Sequence, residues 1–138
     1  MNKRINSRAI VFEDDNVLLL FRRKQKDGII KEYYAIPGGG VEENETLEET
    51  AIRELKEELS IDIEIINYLG SLEEEKCIHH VFSANKISGE LKLGGEELEH
   101  NNENNYYEIR KININDIDNI NLYQENKDFI KKAYQERR

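Results

Sequence analysis

Hydrophobic and polar positions divide the first part of the chain into short apolar runs that predict strands. The runs at 5–12 and 17–22 are rich in branched and aromatic residues and flank an acidic stretch at 13–16. This pattern is typical of a β-hairpin. Residues 24–31 are mostly charged and include a glycine, so they are expected to form a loop. The segment KEYYAIP then predicts a short strand that ends at Pro37.

The period of the apolar residues changes after the glycine-rich stretch that follows this strand. Thr46 and Glu49, three residues apart, form the pattern of a capping box and predict a helix over about 47–59. One face of that helix is expected to carry the apolar residues Ala51, Ile52, Leu55 and Leu59.

The remainder of the chain predicts further strands and a terminal helix. Strands are expected at 61–71 and 75–88, with an acidic turn between them, and at 106–114. Residues 94–105 have no apolar period and predict an exposed loop. Residues 124–137 predict a helix whose buried side is formed by Phe129, Ile130, Ala133 and Tyr134. Strands mixed with two helices predict an α/β or α+β layered domain.

Length and charge limit the classes of function that fit. A chain of 138 residues suits one domain, here residues 1–138. The formal net charge of -9 argues against a nucleic-acid polymer or an acidic membrane as partner. It is compatible with a small phosphorylated ligand, because a bound divalent ion reverses the local sign of the charge.

Cysteine content and hydropathy favour the cytoplasm. Cys77 is the only cysteine, so an internal disulfide is excluded. No apolar run approaches the roughly 20 residues that a membrane span needs. The N-terminal sequence also lacks the apolar region of a secretory signal.

Three glutamates of the first predicted helix point to a cation. Glu54, Glu57 and Glu58 fall within an arc of about 100° beside the apolar stripe. Carboxylates at the rim of a core are costly unless they are neutralised. Mg²⁺ and Mn²⁺ prefer such oxygen ligands. Helix geometry alone leaves a solvated acidic face open as the alternative.

The spacing of the surrounding residues is far more specific than the helix geometry. From Gly39 the order is glycine, five residues, glutamate, seven residues and then RELKEELSI. This order resembles the Nudix box, G-x5-E-x7-R-E-U-x-E-E-x-G-U, in which U is a bulky aliphatic residue. Ser60 departs from it, because the family has glycine there. Eight of the nine specified positions agree, namely Gly39, Glu45, Arg53, Glu54, Leu55, Glu57, Glu58 and Ile61.

The resemblance implies a fold and a reaction. The fold is an α/β/α sandwich with a mixed β-sheet. The reaction is hydrolysis of a pyrophosphate bond in a nucleoside diphosphate linked to another group X, with Mg²⁺ or Mn²⁺. Carried over by position, the metal ligands are Glu54, Glu57, Glu58 and the backbone carbonyl of Gly38. Glu45 and Arg53 are implied to form an ion pair that fixes the loop and the start of the helix.

The general base is left open at this point. In the family it is often a glutamate of the box or a glutamate from a distant loop. The box glutamates Glu54 and Glu57 are the first candidates here. The loop candidates are Glu96, Glu97, Glu99 and Glu103.

Residues outside the box are candidates for substrate binding. Arg22 and Arg23 close the second predicted strand, where phosphate contact competes with a merely exposed basic strand end. Tyr34 lies where many family members have tryptophan, and it either stacks on a base or packs under the glycine loop. His79 and His80 are expected on opposite faces of one strand, so one of them could face the cleft.

These observations favour a metal-dependent hydrolase of a nucleotide-type small molecule. A nucleoside triphosphate, as in housecleaning enzymes, or a nucleotide-sugar is the expected substrate. The alternative is a non-catalytic module of the same fold that senses nucleotides or binds proteins, and the intact set of three glutamates argues against it. Homodimers are frequent in proteins that resemble this one, although the sequence shows no interface signature.

Overall fold

A computed structural model describes residues 2–95, 102 and 104–137 of the chain. Within these residues it contains seven strands, two α-helices and one 3₁₀ helix. The strands are β1 (Arg4–Glu13), β2 (Asn16–Lys26), β3 (Ile29–Ala35), β4 (Gly38–Gly40), β5 (Asp62–Glu73), β6 (Cys77–Ser88) and β7 (Asn105–Asn113). The helices are α1 (Leu47–Leu59), the 3₁₀ helix (Ile114–Asn119) and α2 (Gln124–Glu136).

Strand β1 joins the two parts of a mixed sheet. Along one edge it pairs with β6 in parallel, and β5 continues the sheet antiparallel to β6. Along its other edge, Asn6–Arg8 pair with β4 and Phe12–Glu13 pair with β2. Strand β2 in turn pairs antiparallel with β3 on one side and with β7 on the other. The region where β4 and β2 leave β1 therefore lies between the two parts of the sheet.

The period-two alternation of β1 and β2 directs their apolar side chains to opposite layers. Ala9 and Val11 pack in the cluster that contains the buried face of α1. Ile10 packs in a second cluster with Ile130 and Ala133 of α2. Full burial of a side chain such as isoleucine contributes about 1.5–3 kcal/mol to the free energy of folding. Each helix is therefore held by its own core. The predicted α/β/α sandwich with a mixed sheet is confirmed.

Helix α1 begins and ends at the predicted residues. The Thr46 hydroxyl accepts the Glu49 N–H at 3.1 Å, and the Glu49 carboxylate accepts the Thr46 N–H at 2.9 Å. These two bonds form the predicted capping box. One part of the expected apolar face was wrong, because Ile52 is 39% exposed while its helical neighbours Ala51 and Leu55 are fully buried.

The loop predicted at 24–31 was also wrong, because this segment forms a β-hairpin. Strand β2 continues to Lys26 and β3 begins at Ile29, so only Asp27 and Gly28 form the connection. Both residues have positive φ, 53° and 77°, as a type I′ turn requires. The Asp-Gly pair is the sequence signal for such a turn.

Elements after α1 agree with their predictions to within a few residues. The predicted strands correspond to β5, β6 and β7, and the terminal helix corresponds to α2. Most of the predicted loop at 94–105 lies outside the described residues. In the described part of the chain, no helix is both long enough and apolar enough to span a membrane.

Candidate active site

The three glutamates of α1 differ in exposure although they lie on one side of the helix. Glu58 is buried, with 2% of its surface exposed. The side chain of Glu54 is 16% exposed and that of Glu57 is 52% exposed. Their carboxylates therefore extend from the interior, beside the sheet, to the solvent.

The glycines of β4 allow two of these carboxylates to reach the sheet. The backbone N–H of Gly38 donates to Glu58 Oε1 at 2.8 Å. At Gly39 a Cβ atom would lie 2.6 Å from the carboxylate carbon of Glu54, so only glycine leaves room for that carboxylate. Gly38 has φ +152°, and a Cβ there would lie 2.3 Å from the Ser7 carbonyl oxygen.

A substitution at Gly39 tests this close approach. We expect Gly39→Ala to displace the Glu54 carboxylate, because the flexible side chain moves more easily than the backbone of β4. Displacement of a ligand at this position is expected to weaken Mn²⁺ binding by about 10- to 100-fold, with little change in the unfolding midpoint. The matched control is Gly40→Ala, whose Cβ would meet the Arg4 side chain instead. Equal Mn²⁺ binding by the two variants would contradict the assignment.

Arg53 connects the loop, the glycine strand and the helix. Its Nε donates to Glu45 Oε2 at 2.7 Å, and its Nη2 donates to Glu45 Oε1 and to the Gly40 carbonyl, both at 3.0 Å. Its Nη1 lies 3.1 Å from a carboxylate oxygen of Glu54 and 3.3 Å from Glu57. The guanidinium thus holds the start of α1. It also partly neutralises the acidic cluster, which consists of Glu54, Glu57 and Glu58.

The contact with Arg53 makes the stability of the fold depend on pH. Hydrogen bonds from Arg53 lower the pKa of Glu45 from 4.5 to about 2. A depressed folded-state pKa stabilises the fold above the unfolded-state pKa, and this stabilisation is lost as the pH falls towards the folded-state value. We expect urea unfolding between about pH 5 and 2.5 to show a steeper loss of stability for the wild type than for Glu45→Gln. Parallel curves for the two proteins would contradict the ion pair.

The donor set fits a divalent cation. The carboxylates of Glu54 and Glu58 reach the glycines of β4, and the carboxylate of Glu57 lies nearby, because it contacts the same Arg53 Nη1 as Glu54. Oxygen ligands of this kind suit Mg²⁺ and Mn²⁺. Glu54, Glu57 and Glu58 would hold the ion, and the Gly38 carbonyl lies on the strand next to Glu58.

Ser60 ends α1 in the left-handed conformation that the family's glycine would adopt, with φ 64° and ψ 28°. The serine side chain adds a bond that glycine lacks, because its hydroxyl donates to the Lys92 carbonyl at 2.9 Å. The same segment caps the helix, since Lys92 N–H donates to the Leu59 carbonyl and Gly94 N–H donates to the Glu58 carbonyl, both at 3.0 Å.

Ser60→Gly is expected to have a small net effect on stability. Glycine relieves a left-handed strain of about 1 kcal/mol, and loss of the hydroxyl bond costs about the same amount. Chemical denaturation is therefore expected to give a change of less than about 1 kcal/mol, with unchanged turnover. A large gain in turnover at unchanged stability would show that Ser60 belongs to the catalytic machinery.

A cavity of about 690 Å³ is lined by Arg8 but by none of the three glutamates of α1, and Arg8 is the residue that links it to them. Arg8 is half-buried. Burial lowers the pKa of Arg8, and the negative charges of Glu58 and Glu54 oppose this shift. Strand β3, strand β6 and the segment before α2 contribute to the lining of the cavity. The lining residues include Arg8, Arg22, Tyr33, Tyr34, His79 and Asn121.

The three residues predicted to contact substrate lie in two different places. Arg22 and Tyr34 line the cavity. Tyr34 also accepts a hydrogen bond from Arg110 at 3.0 Å, so its hydroxyl is tied to β7. Arg23 is exposed and pairs with Glu32 at 2.9 Å. Arg22 therefore lies where substrate contact is expected, whereas Arg23 is not among the residues that line the cavity.

The other candidates for the general base fall outside the described part of the structure. Glu96, Glu97, Glu99 and Glu103 belong to residues that the structure does not describe. Glu54 and Glu57 are the candidates that the described residues place in the acidic cluster.

Sequence reasoning missed a chain of polar contacts at the inner end of the cavity. Arg8 Nε donates to His79 Nδ1 at 3.1 Å, and His79 Nε2 lies 3.1 Å from Glu74 Oε2. The parallel pairing of β1 with β6 brings these side chains together, and that pairing has no local sequence signal. The available hint was Arg8, the only charged residue in the run at 5–12.

Glu74, Cys77 and His79 could each offer one metal-ligand atom, and these atoms lie within 4.8 Å of one another. The hydrogen bonds of the imidazole argue against a cation there. Nδ1 accepts the Arg8 N–H, so the ring proton resides on Nε2 and is donated to Glu74. In this arrangement neither ring nitrogen of His79 has a free lone pair for a metal ion.

Comparisons with known proteins identify relatives of the chain. A family model described as "NUDIX domain" matches residues 2–133. A curated ADP-ribose pyrophosphatase from Methanocaldococcus jannaschii is 37% identical over 95 residues, which are 64% of this chain and 55% of that protein. The match therefore spans about half the length of that relative.

Solved structures share the fold. The MutT protein from Methanosarcina mazei Go1 superposes with a TM-score of 0.71 at 24% identity, covering 99% of this chain and 97% of that chain. An ADP-ribose pyrophosphatase from Streptococcus suis 89-1591 gives a TM-score of 0.68 at 17% identity, covering 99% of this chain and 96% of that chain.

Proposed function

The chain belongs to the NUDIX domain family, and we therefore propose that it is a metal-dependent pyrophosphohydrolase. Its substrate is a nucleoside diphosphate linked to another group X. The observation that carries this proposal is the placement of the Glu54 and Glu58 carboxylates against the glycines of β4, with Arg8 between them and a cavity lined by cationic and aromatic side chains.

ADP-ribose is the first substrate to test. Two similar proteins bear the name ADP-ribose pyrophosphatase. A cavity of about 690 Å³ also falls within the common range for small-molecule sites. Nucleoside triphosphates are the second candidate class, because a MutT protein is similar in fold over nearly the whole chain.

The proposed reaction is attack of water on a phosphorus atom of the pyrophosphate. A bound Mg²⁺ or Mn²⁺ would neutralise phosphate charge and acidify a bound water. Glu57 is the proposed general base, because its carboxylate is the most exposed of the three and is therefore accessible to water. It takes the proton as the water oxygen bonds to phosphorus. The bridging P–O bond breaks, and its electron pair leaves with the departing phosphate.

Other residues of the site have supporting roles in this proposal. Glu54 and Glu58 are the further metal ligands, each held by the packing described above. Arg22 and Tyr34 contact the substrate in the cavity. The net charge of -9 supports a small nucleotide over a nucleic-acid polymer as partner. The cytoplasm is the proposed location, where such nucleotides are abundant.

A hydrolysis screen with Mg²⁺, with Mn²⁺ and with chelator tests the proposal. The panel contains ADP-ribose, nucleotide-sugars, canonical and oxidised nucleoside triphosphates, dinucleoside polyphosphates and NADH. Metal-dependent release of X-phosphate and nucleotide from at least one of them is the expected result. Absence of turnover, together with measurable nucleotide binding, would replace the proposal with a nucleotide-sensing module of the same fold.

A further inference from the structure

The geometry points to a role for Glu74 and His79 as positioning residues. We propose that they hold the guanidinium of Arg8 as a fork that binds phosphoryl oxygens of the substrate between the cavity and the α1 carboxylates. This inference rests on the proposed function, since it assigns a task in binding the same diphosphate. None of the three residues belongs to the sequence motif of the box.

Arg8 has hydrogen-bond donors to spare. A guanidinium carries five N–H groups in a planar fork. One is donated to His79 Nδ1 at 3.1 Å and one to the Ile36 carbonyl at 2.8 Å. Among the described residues the remaining N–H groups of Arg8 have no hydrogen-bond partner, and the residue lines the cavity. A phosphate is the ligand that best matches such a fork.

The direction of each hydrogen bond at His79 is fixed by its neighbours. Arg8 Nε can only donate, and Asn6 Nδ2, at 3.2 Å from the same Nδ1, is also a donor. Nδ1 is therefore an acceptor, and the proton lies on Nε2, facing Glu74 Oε2 at 3.1 Å. Glu74 thus selects the tautomer of His79 that can accept from Arg8.

The relay formed by Glu74, His79 and Arg8 prevents a competing contact of Arg8. Arg8 is attracted by Glu58 and Glu54, which are proposed to hold the cation, and is repelled by Arg22. If Arg8 turned onto those carboxylates, it would compete with the metal ion and no longer face the substrate. The bonds to His79 and to the Ile36 carbonyl hold it on the cavity side. Loss of His79 should therefore affect substrate affinity more than it affects the rate of the chemical step.

The relay should also be sensitive to protonation of His79. Its surroundings contribute the charges of Arg8, Arg4 and Glu74, the amide of Asn6 and the thiol of Cys77. Burial and the charge of Arg8 lower the pKa of His79, and the contact with Glu74 opposes this. The neutral ring is thus the form present at neutral pH. Protonation in acid turns Nδ1 into a donor and removes the acceptor for Arg8.

Steady-state kinetics on the preferred substrate of the panel, with ADP-ribose first, test the relay. We expect His79→Ala to raise KM by about tenfold with kcat within about twofold, since one charge-assisted hydrogen bond is lost. His79→Asn keeps an acceptor near the Nδ1 position and should restore most of the affinity. The wild-type KM should rise on acidification below about pH 6.5, whereas the KM of His79→Asn should stay flat in that range.

A binding measurement separates this inference from the proposed function. Titration calorimetry of ADP in chelator, without metal and without turnover, should give about tenfold weaker binding to His79→Ala than to the wild type. If no substrate on the panel is hydrolysed, the proposed function fails while the ADP measurement still decides the relay. Equal ADP affinity, or loss of kcat alone, would overturn the relay.

A second variant covers a failure of His79→Ala to fold. Glu74→Ala changes a side chain that is 37% exposed, so the fold should tolerate it. It removes the group that selects the tautomer, and we expect KM to rise by about threefold with kcat unchanged. An unchanged KM in Glu74→Ala, with an unchanged pH profile, would also overturn the relay.

Discussion

Replacement of Glu57 by glutamine is expected to lower turnover by about 10²- to 10⁴-fold, the usual contribution of general acid–base catalysis. Glutamine keeps the size of the side chain but can neither take a proton from water nor offer a second anionic oxygen to a cation. The fold should persist, because the Glu57 side chain is 52% exposed and its contact with Arg53 is a surface ion pair. Initial rates and thermal unfolding of the same preparation measure both effects.

Glu48→Gln is the matched control for this experiment. Glu48 lies in the first turn of the same helix and is exposed, outside the acidic cluster. The Glu48→Gln variant should retain wild-type turnover, although it changes the net charge of the protein by the same amount as Glu57→Gln does. Wild-type rates in a pure preparation of Glu57→Gln, or an equal loss in both variants, would show that the assigned chemistry is wrong.

Arg53→Met is expected to lower the free energy of unfolding by about 2–3 kcal/mol, the largest loss of stability among the proposed substitutions. It removes the partner of a Glu45 carboxylate that is only 15% exposed, together with the bond to the Gly40 carbonyl. Both groups would be left poorly solvated, and the start of α1 would lose its connection to β4. Urea unfolding measures the loss, and turnover should fall with it as the glutamates lose their position.

Lys56→Met provides the control for Arg53→Met. Lys56 lies on the same helix and pairs with Asp62 at 3.3 Å, but its side chain is 57% exposed. An exposed pair of this kind contributes less than about 1 kcal/mol. A loss in Arg53→Met no larger than that in Lys56→Met would contradict the role of Arg53 as the connection between loop, strand and helix.

Elements specified by neighbouring residues could be predicted from the sequence. The Thr46 and Glu49 pair fixed the start of α1 through two local hydrogen bonds. Alternation along β1 and β2 placed their side chains in two cores because the period of a strand is a local property. The predicted ion pair of Glu45 and Arg53 is present, since the two residues lie close together in the sequence at the start of α1.

Features that depend on distant pairing could not be predicted in this way. Strand β4 exists only because Gly38–Gly40 pair with β1, and three glycines have no strand propensity of their own. The contact between Arg8 and His79 depends on the parallel register of β1 and β6. The hairpin of β2 and β3 is different, because the adjacent Asp27-Gly28 pair is a local signal for its turn.

Every catalytic role proposed for this site requires that the carboxylates of α1 hold a divalent cation. Mn²⁺ binding measured by electron paramagnetic resonance tests this requirement, and the measurement does not depend on the identity of the substrate. The wild type and Glu48→Gln should bind Mn²⁺ with equal affinity, and Glu57→Gln should bind it at least about tenfold more weakly. Equal binding by all three proteins would place the cation elsewhere and contradict the assignment of the α1 glutamates as its ligands.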